Sequence, residues 1–149
     1  STILSSIRRT ILILFTNDRC KEEFFTKLHP RCMHMLIDLS EMLKNDRANT
    51  LVTSVYRSVD EQKEICKKIG VPYYESLHSC GNAIDAVPQP CKDSDPEYIR
   101  AACLSHAEEL SKKYDYGKLG KVSALWHMGT GNHFHLQTNP ALYGIGLKQ

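Results

Sequence analysis

The residues in this sequence best suited to chemistry are His78, Asp85, His133 and His135. His133 and His135 are two residues apart, so on a β-strand both imidazoles point to the same face and the residue between them points to the other. His78 precedes Asp85 by seven residues, with Gly81 between them. A tight turn at that glycine would bring the histidine back to face a carboxylate on the following strand.

Side chains of these types could hold one metal ion. Two histidine nitrogens and one carboxylate suit Zn²⁺ and leave a fourth position for a water molecule. Zinc lowers the pKa of such a water toward roughly 7 and polarises a substrate carbonyl, which is the minimum needed to cleave an amide. The spacing alone is also compatible with a structural role, in which His78 caps a turn, Asp85 accepts backbone hydrogen bonds and the histidine pair lies on a half-exposed strand.

The segment around His78 carries a specific pattern. Residues 76–85, SLHSCGNAID, match S-x-H-x-x-G-x-A-x-D at every fixed position. Residues 54–58, SVYRS, with Gln62 a little later, and residues 132–136, NHFHL, agree with it in the expected order. Together, over roughly residues 28–138, they resemble the D-Ala-D-Ala carboxypeptidase and L-alanyl-D-glutamate endopeptidase family. These are zinc enzymes that share a metal-binding core with lysostaphin-type peptidases and hedgehog signalling domains.

The resemblance implies a metal-binding set and an anion-binding residue. His78, Asp85 and His135 would bind one Zn²⁺ per chain. Arg57 would bind the substrate carboxylate or the developing oxyanion, a task that suits arginine because its charge is fixed and its donors form a fork. The alternative for Arg57 is an exposed cation at a strand end.

Two further residues of the matched segments are predicted to contribute to substrate binding, namely Ser76 and Gln62. Ser76 fits a turn residue or a hydrogen-bond donor beside the site better than a nucleophile, because no motif places a base for it. Cys80, although it lies inside the pattern, occupies a variable position of the family and is given no role.

One position departs from the family pattern. Many members place Glu or Asp three residues before the last histidine ligand as general base, but here that position is Asn132, and counting from His133 gives Thr130. Members with an H-x-H segment resemble this chain more closely, and there the first histidine helps to activate the water or stabilise the transition state. We therefore predict a catalytic role for His133, with His127 as the alternative base.

His133 could instead join the other three side chains as a fourth metal ligand. A closed shell of four protein ligands would be structural. The chain would then be a non-catalytic zinc-containing binding or structural module with the same fold, as hedgehog domains are. A third interpretation is a fragment of a longer wall-associated protein, because Ser1 is not an initiator residue.

The elements that must position these residues can be predicted from pattern. Apolar residues at helical spacing predict a helix from Leu28 to about Asn45, and a capping-box pattern at Ser58 opens another through about Lys68. A third helix is predicted over 97–113, strands over 51–56, 83–87, 121–126 and 133–137, and a glycine turn at 129–131. A short apolar segment ends near Asn17. Because helices and strands do not strictly alternate, we predict an α+β domain with a small, mainly antiparallel sheet packed with helices. The resemblance implies a hedgehog/D-Ala-D-Ala peptidase-like fold.

Length and composition fit a single domain spanning 1–149. With 19 basic against 17 acidic residues and a net charge of +2, the chain is not a polybasic nucleic-acid binder, and we expect no nucleic-acid partner. The 42% of hydrophobic residues can supply a globular core. The six cysteines form no C-x-x-C pair, so we predict mostly reduced thiols.

The expected partner is a bacterial peptidoglycan peptide. The apolar run at residues 11–15 behind Arg8 and Arg9 is shorter than the roughly 7–15 residues of a signal h-region, and nothing approaches the roughly 18–20 residues of a spanning helix. We therefore expect a soluble monomer without a signal peptide or transmembrane segment. It would be made in the cytoplasm and act at the cell wall, or be virion-associated. A small single-domain form resembles a bacteriophage endolysin, for which endopeptidase cleavage is favoured over carboxypeptidase trimming.

Overall fold

The computed structural model describes residues 13–129 and 131–141. In this part of the chain the strands are β1 (Ile13–Phe15), β2 (Ala48–Ser54), β3 (Ala83–Pro90), β4 (Ala124–His127) and β5 (His133–Gln137). The helices are α1 (Asp18–Thr26), α2 (Pro30–Asn45), α3 (Val59–Ile69) and α4 (Pro96–Lys113), with a 3-10 turn at Leu77–Cys80. The start of the apolar run with its two arginines, and the position of Thr130 in the glycine turn, lie outside the described residues.

The strands form one sheet in the order β1-β2-β3-β5-β4. β1 pairs in parallel with β2, and the three other pairings are antiparallel. The predicted α+β class with a small, mainly antiparallel sheet is therefore confirmed. The sheet brings β3 and β5, which carry Asp85 and the histidine pair, next to each other.

Local sequence signals account for most of the helices. At the start of α3 the Ser58 hydroxyl accepts from the backbone N–H of Glu61 at 3.1 Å, and the Glu61 carboxylate accepts from the backbone N–H of Ser58 at 3.0 Å. This is the predicted capping box. Gly70 ends the helix with φ 74°, a left-handed conformation that glycine adopts at low cost.

Helix α1 is the element that the pattern analysis missed. Asn17 is its N-cap, and the Asn17 side chain accepts from the backbone N–H of Cys20 at 2.9 Å. In the sequence, the Asn17-Asp18 pair indicates only the end of the apolar segment. The helix buries just Cys20 and Phe24, so its apolar stripe is too narrow to give a periodic signal.

The hydrophobic core lies between one face of the sheet and the helices α2 and α4. Leu36 and Leu39 of α2 and Ile99 of α4 belong to the same buried cluster as Phe134 and Leu136 of β5. Because side chains alternate along a strand, burial of Phe134 turns its neighbours His133 and His135 to the opposite face. That opposite face carries the candidate site.

All six cysteines are unpaired, and Cys20, Cys32, Cys66 and Cys103 are buried, whereas Cys80 is exposed and Cys91 is half-buried.

None of the helices in the described part of the chain combines the length and apolar character needed to cross a membrane.

Candidate metal centre

His78 reaches the site through the turn that precedes β3. The Ser76 hydroxyl accepts from the backbone N–H of His78 at 3.1 Å, which caps the 3-10 turn, and Gly81 reverses the chain with φ 75°. His78 is buried, with 3% of the residue's surface exposed. Its Nε2 lies 3.3 Å from Oδ2 of Asp85, so the turn brings the two predicted ligands face to face.

The pairing of β3 with β5 adds the third residue. Asp85 is the register partner of His135, and Nδ1 of His135 lies 2.9 Å from Oδ1 of Asp85. Three possible ligand atoms, one from each of His78, Asp85 and His135, lie within 4.8 Å of one another. The structure thus brings together the three predicted ligands in a group that could hold a metal ion.

Hydrogen bonding fixes which nitrogen of His78 carries the proton. Nδ1 of His78 lies 2.9 Å from the carbonyl oxygen of Val55, and a carbonyl can only accept. Nδ1 is therefore the protonated nitrogen. In the neutral imidazole the lone pair is then on Nε2, which is the atom that faces Asp85.

Hydrogen bonding also fixes which nitrogen of His135 carries the proton, and in this ring it is Nε2. Nε2 of His135 lies 3.0 Å from Oε1 of Gln137, and the amide of Gln137 is oriented because its Nε2 donates to the Val122 carbonyl at 2.7 Å. Oε1 can only accept, so Nε2 of His135 donates. The lone pair of neutral His135 is then on Nδ1, again facing Asp85.

Three electron-pair donors therefore converge at this point. Burial raises the pKa of Asp85, but when the two imidazoles are protonated their hydrogen bonds to Asp85 outweigh that effect and hold this pKa below its usual range, so the carboxylate stays charged. Neutral imidazoles directed in this way bring no proton to the carboxylate. A metal cation can accept all three lone pairs at once, and the same outer hydrogen bonds would orient the rings as ligands.

His133 lies beside this group. Its Nδ1 is 2.7 Å from the Gly131 carbonyl, so its free nitrogen is Nε2, which lies 4.0 Å from Oδ1 of Asp85. The His133 side chain is 26% exposed, against 4% for the His78 side chain. His133 is thus next to the three donors and also accessible from solvent.

His127 shares this face of the sheet. It is the register partner of His133, and the two ring centroids are 5.0 Å apart. Trp126 instead packs on Phe134 on the core side, with ring centroids 4.7 Å apart. His127 therefore points away from the core side on which Trp126 packs, because adjacent strand residues point to opposite faces. Whether His127 acts as a base stays a prediction.

Asn132, at the position of the family's carboxylate base, takes part in a turn. Its side-chain oxygen accepts from the backbone N–H of Gly129 at 3.1 Å. This contact closes the loop between β4 and β5 just before His133. The Asn132 side chain therefore stabilises the turn. Because it is an amide, it cannot accept a proton as a general base.

The three residues predicted to bind substrate also meet. Nη1 of Arg57 donates to Oε1 of Gln62 at 2.9 Å and to the Ser76 hydroxyl at 3.5 Å. Gln62 is buried, and its amide also donates to the Tyr74 carbonyl at 3.2 Å. The backbone N–H of Arg57 donates to the carbonyl of His78 at 3.3 Å. Arg57 is therefore attached to the segment that carries a predicted metal ligand.

The charge of Arg57 is not neutralised by a carboxylate. Among residues 13–129 and 131–141, the ion pairs found within 4.0 Å do not include Arg57. Both side-chain contacts of its guanidinium are to neutral oxygens. A half-buried cation in such surroundings can bind an anionic group of a ligand.

Gly81 offers a test of the turn that positions His78. A Cβ at Gly81 would lie 2.2 Å from the carbonyl oxygen of Lys27, whereas a Cβ at Gly70, which has nearly the same φ, would meet nothing within 4 Å. Gly70→Ala should cost about 1–2 kcal/mol for the left-handed conformation alone. Gly81→Ala should cost about 1–3 kcal/mol more, because the backbone at Lys27 must shift. Urea unfolding of both variants measures the difference, and equal losses would contradict the close approach.

Sequence reasoning missed Val55 and Gln137, which set the tautomers of His78 and His135. Gln137 follows His135 by two residues on the same strand, so period-two spacing could have placed both on one face. The backbone carbonyl of Val55 carries no sequence signal, because any residue type would supply it.

Comparisons with known proteins are sparse. No family model matches the sequence, and no curated protein matches it. Among solved structures, the chain is similar to the L-Ala D-Glu endopeptidase ChiX of Serratia marcescens, with 20% sequence identity and a TM-score of 0.42. The match covers 83% of this chain and 90% of that chain. Similarity of this degree assigns neither a family nor an activity to this chain.

Proposed function

We propose that this protein is a zinc-dependent peptidase that hydrolyses an amide bond in bacterial peptidoglycan peptides. The observation that carries the proposal is the convergence of lone pairs from His78, Asp85 and His135 on one point. Beside it lies Arg57, which has no carboxylate partner among the described residues. The S-x-H-x-x-G-x-A-x-D pattern over residues 76–85, which contains His78 and Asp85 and resembles a family of zinc peptidases, also supports it.

The donor set suits zinc. Two imidazole nitrogens and one carboxylate oxygen are typical of catalytic zinc sites, which keep a further position for water or substrate. Zn²⁺ bound there would polarise the substrate carbonyl and lower the pKa of a water molecule. His78 and His135 would hold the ion with rings already oriented by the Val55 carbonyl and the Gln137 amide.

Arg57 is assigned the anionic part of the substrate. Hydrogen bonds to Gln62 and Ser76 orient its guanidinium, and its backbone N–H donates to the carbonyl of His78. In that place it would bind a substrate carboxylate or the negative charge that develops on the scissile carbonyl oxygen. Peptidoglycan peptides carry free carboxylates next to their amide bonds, which is the chemistry that such a cation recognises.

His133 is assigned the proton transfer. The Gly131 carbonyl holds Nδ1–H, so Nε2 is the nitrogen that can accept a proton and later donate it to the leaving amine. Nε2 lies 4.0 Å from Asp85, so it borders the three donors and is partly open to solvent. A group in that position replaces the carboxylate base that Asn132 cannot supply.

The finer substrate assignment follows the motif resemblance. We propose endopeptidase cleavage, in cell-wall lysis of the endolysin type, in preference to carboxypeptidase trimming. The alternative is a non-catalytic zinc module, which is favoured by the absence of a carboxylate at position 132 and by the nearness of His133 to Asp85. In that case His133 would complete a four-ligand shell.

The deciding experiment is mass spectrometry of fragments released from purified peptidoglycan of Gram-negative and Gram-positive cross-link types. We expect new amino termini that disappear with a metal chelator and return with Zn²⁺. Elemental analysis of the purified protein should find one zinc per chain. Stoichiometric zinc without cleavage of any wall type would favour the non-catalytic module, and cleavage that survives complete metal removal would contradict the proposed chemistry.

A further inference from the structure

The segment that carries Arg57 is held from two sides. Residues 55–58 connect β2 to α3 without regular structure. On one side, His78 binds the Val55 carbonyl through its ring and accepts from the Arg57 backbone N–H through its own carbonyl. On the other side lies α1, which contributes nothing to the metal centre itself.

Helix α1 binds both polar groups of the Tyr56 main chain. The Glu23 carboxylate accepts from the Tyr56 N–H at 3.2 Å, and Nη2 of Arg19 donates to the Tyr56 carbonyl at 3.3 Å. These contacts join residues more than thirty positions apart in sequence. The residue immediately before Arg57 is therefore fixed by two charged side chains.

Arg19 is also the centre of an ion-pair network. Its Nε donates to Glu23 at 2.8 Å, and its two terminal nitrogens donate to both oxygens of Glu61 at 3.0 and 2.7 Å. This is the bidentate geometry in which arginine binds a carboxylate most strongly. Glu61 in turn accepts from the Ser58 N–H, so the network ties α1 and α3 to both ends of the Tyr56–Ser58 segment.

The network also determines which cation the nearby carboxylates pair with. Arg19, Glu23, Arg57 and Glu61 line one cavity, and Arg19 pairs with both carboxylates. The Arg57 guanidinium instead donates to the neutral oxygens of Gln62 and Ser76. The hydrogen bond from Arg19 lowers the pKa of Glu61 to about 2, so this carboxylate is charged at any pH at which the protein would work. Without Arg19, two negative charges in that cavity would attract the guanidinium of Arg57.

We propose that Arg19 is a positioning residue for Arg57. It holds the main chain at Tyr56 and occupies the carboxylates of Glu23 and Glu61, so that Arg57 stays directed toward the substrate. This inference rests on the proposed function of Arg57, and it predicts an effect on the reaction from a residue that touches neither metal nor substrate.

Arg19→Met tests the inference, because methionine keeps much of the side-chain volume and removes the charge and the fork. We expect kcat/KM for peptidoglycan cleavage to fall by about 10- to 100-fold, the order expected when a charged group is displaced by about 1 Å. Zinc stoichiometry should not change, because α1 contributes no ligand. Arg19→Lys should recover only part of the loss, since an ammonium cannot bind Glu61 through two parallel hydrogen bonds.

A double-mutant cycle separates positioning from a general loss of stability. If Arg19 acts through Arg57, adding Arg19→Met to an Arg57→Met protein should change kcat/KM by no more than about twofold. A second variant that lowers kcat/KM as much as it does in the wild-type background would overturn the inference. Unchanged kcat/KM in Arg19→Met alone would overturn it as well.

The matched control is Arg47→Met. Arg47 directly precedes β2, at the end of that strand away from Arg57, and it forms an ion pair with Asp93. Its side chain is 61% exposed, against 54% for the side chain of Arg19. We expect this variant to leave kcat/KM within about twofold of wild type. A comparable loss in Arg47→Met would show that the effect is not specific to the network.

Hydrogen exchange makes the outcome independent of catalysis. Arg19→Met should speed exchange of the Tyr56 and Arg57 amides, whose acceptors are Glu23 and the His78 carbonyl, while the amides of β3 and β5 keep their protection. A wild-type protein that cleaves no wall type would overturn the proposed function alone. Unchanged exchange at these two amides would overturn the positioning role, whatever the activity.

Discussion

Asp85→Asn is expected to abolish stoichiometric metal binding while leaving the fold intact. The substitution removes the negative charge toward which the lone pairs of His78 and His135 are directed. It also supplies an amide N–H₂ that can donate to those same nitrogens. Asparagine can donate hydrogen bonds to both histidine nitrogens without a cation. The protein should therefore keep its stability and lose its affinity for the metal.

The measurement is zinc titration by calorimetry together with thermal unfolding. The loss of affinity should exceed the roughly 10- to 100-fold that removal of an outer hydrogen-bond partner costs, because a direct ligand is lost. Asp93→Asn is the control, since Asp93 is exposed and pairs with Arg47 away from the site. Retention of one tightly bound zinc by Asp85→Asn would overturn the ligand assignment.

The candidate metal-binding group formed by His78, Asp85 and His135 shows how far sequence reasoning could reach. The spacing of His78 and Asp85 around Gly81 predicted a turn that brings them face to face, and the structure places their side chains 3.3 Å apart. The two-residue spacing of His133 and His135 predicted a common face. Both predictions depend on local geometry alone, in which turn type and strand alternation are set by neighbouring residues.

The contacts between distant elements could not be predicted in the same way. Asp85 meets His135 because β3 and β5 are neighbours with one particular register, and strand order is a property of the whole sheet. The ion-pair network of Arg19 joins α1 to Tyr56 and to Glu61, and Glu61 lies 42 positions after Arg19 in the sequence. No periodicity marks such a pair, and α1 itself was missed because it has neither a wide apolar stripe nor a capping-box pattern.

The same limit applies to the state of the histidines. The sequence identified which imidazoles could bind metal, but the nitrogen that each presents depends on the Val55 carbonyl, the Gln137 amide and the Gly131 carbonyl. These acceptors turn a plausible set of ligands into one with defined donor atoms. They also distinguish the proposed roles, because His133 has a free Nε2 beside the three donors and is the most exposed of these histidines.

His133→Ala is therefore expected to separate metal binding from turnover. The variant keeps His78, Asp85 and His135, so one zinc per chain should remain. Cleavage should slow by about 10²- to 10⁴-fold, the usual contribution of a positioned acid–base group. Single-turnover rates on a defined wall peptide, measured with zinc content on the same sample, give both quantities.

The outcome of His133→Ala also decides between the open site and the closed shell. If His133 were a fourth ligand, its removal would weaken zinc binding and open a position, so zinc affinity would fall and any hydrolysis would not slow. His34→Ala is the matched control, because His34 is exposed on α2, which packs against the opposite face of the sheet. Full zinc content with unchanged turnover would instead transfer the proton-transfer role to His127, whose ring lies 5.0 Å from that of His133 on the same face. The rate and the zinc content together thus distinguish an acid–base group from a ligand.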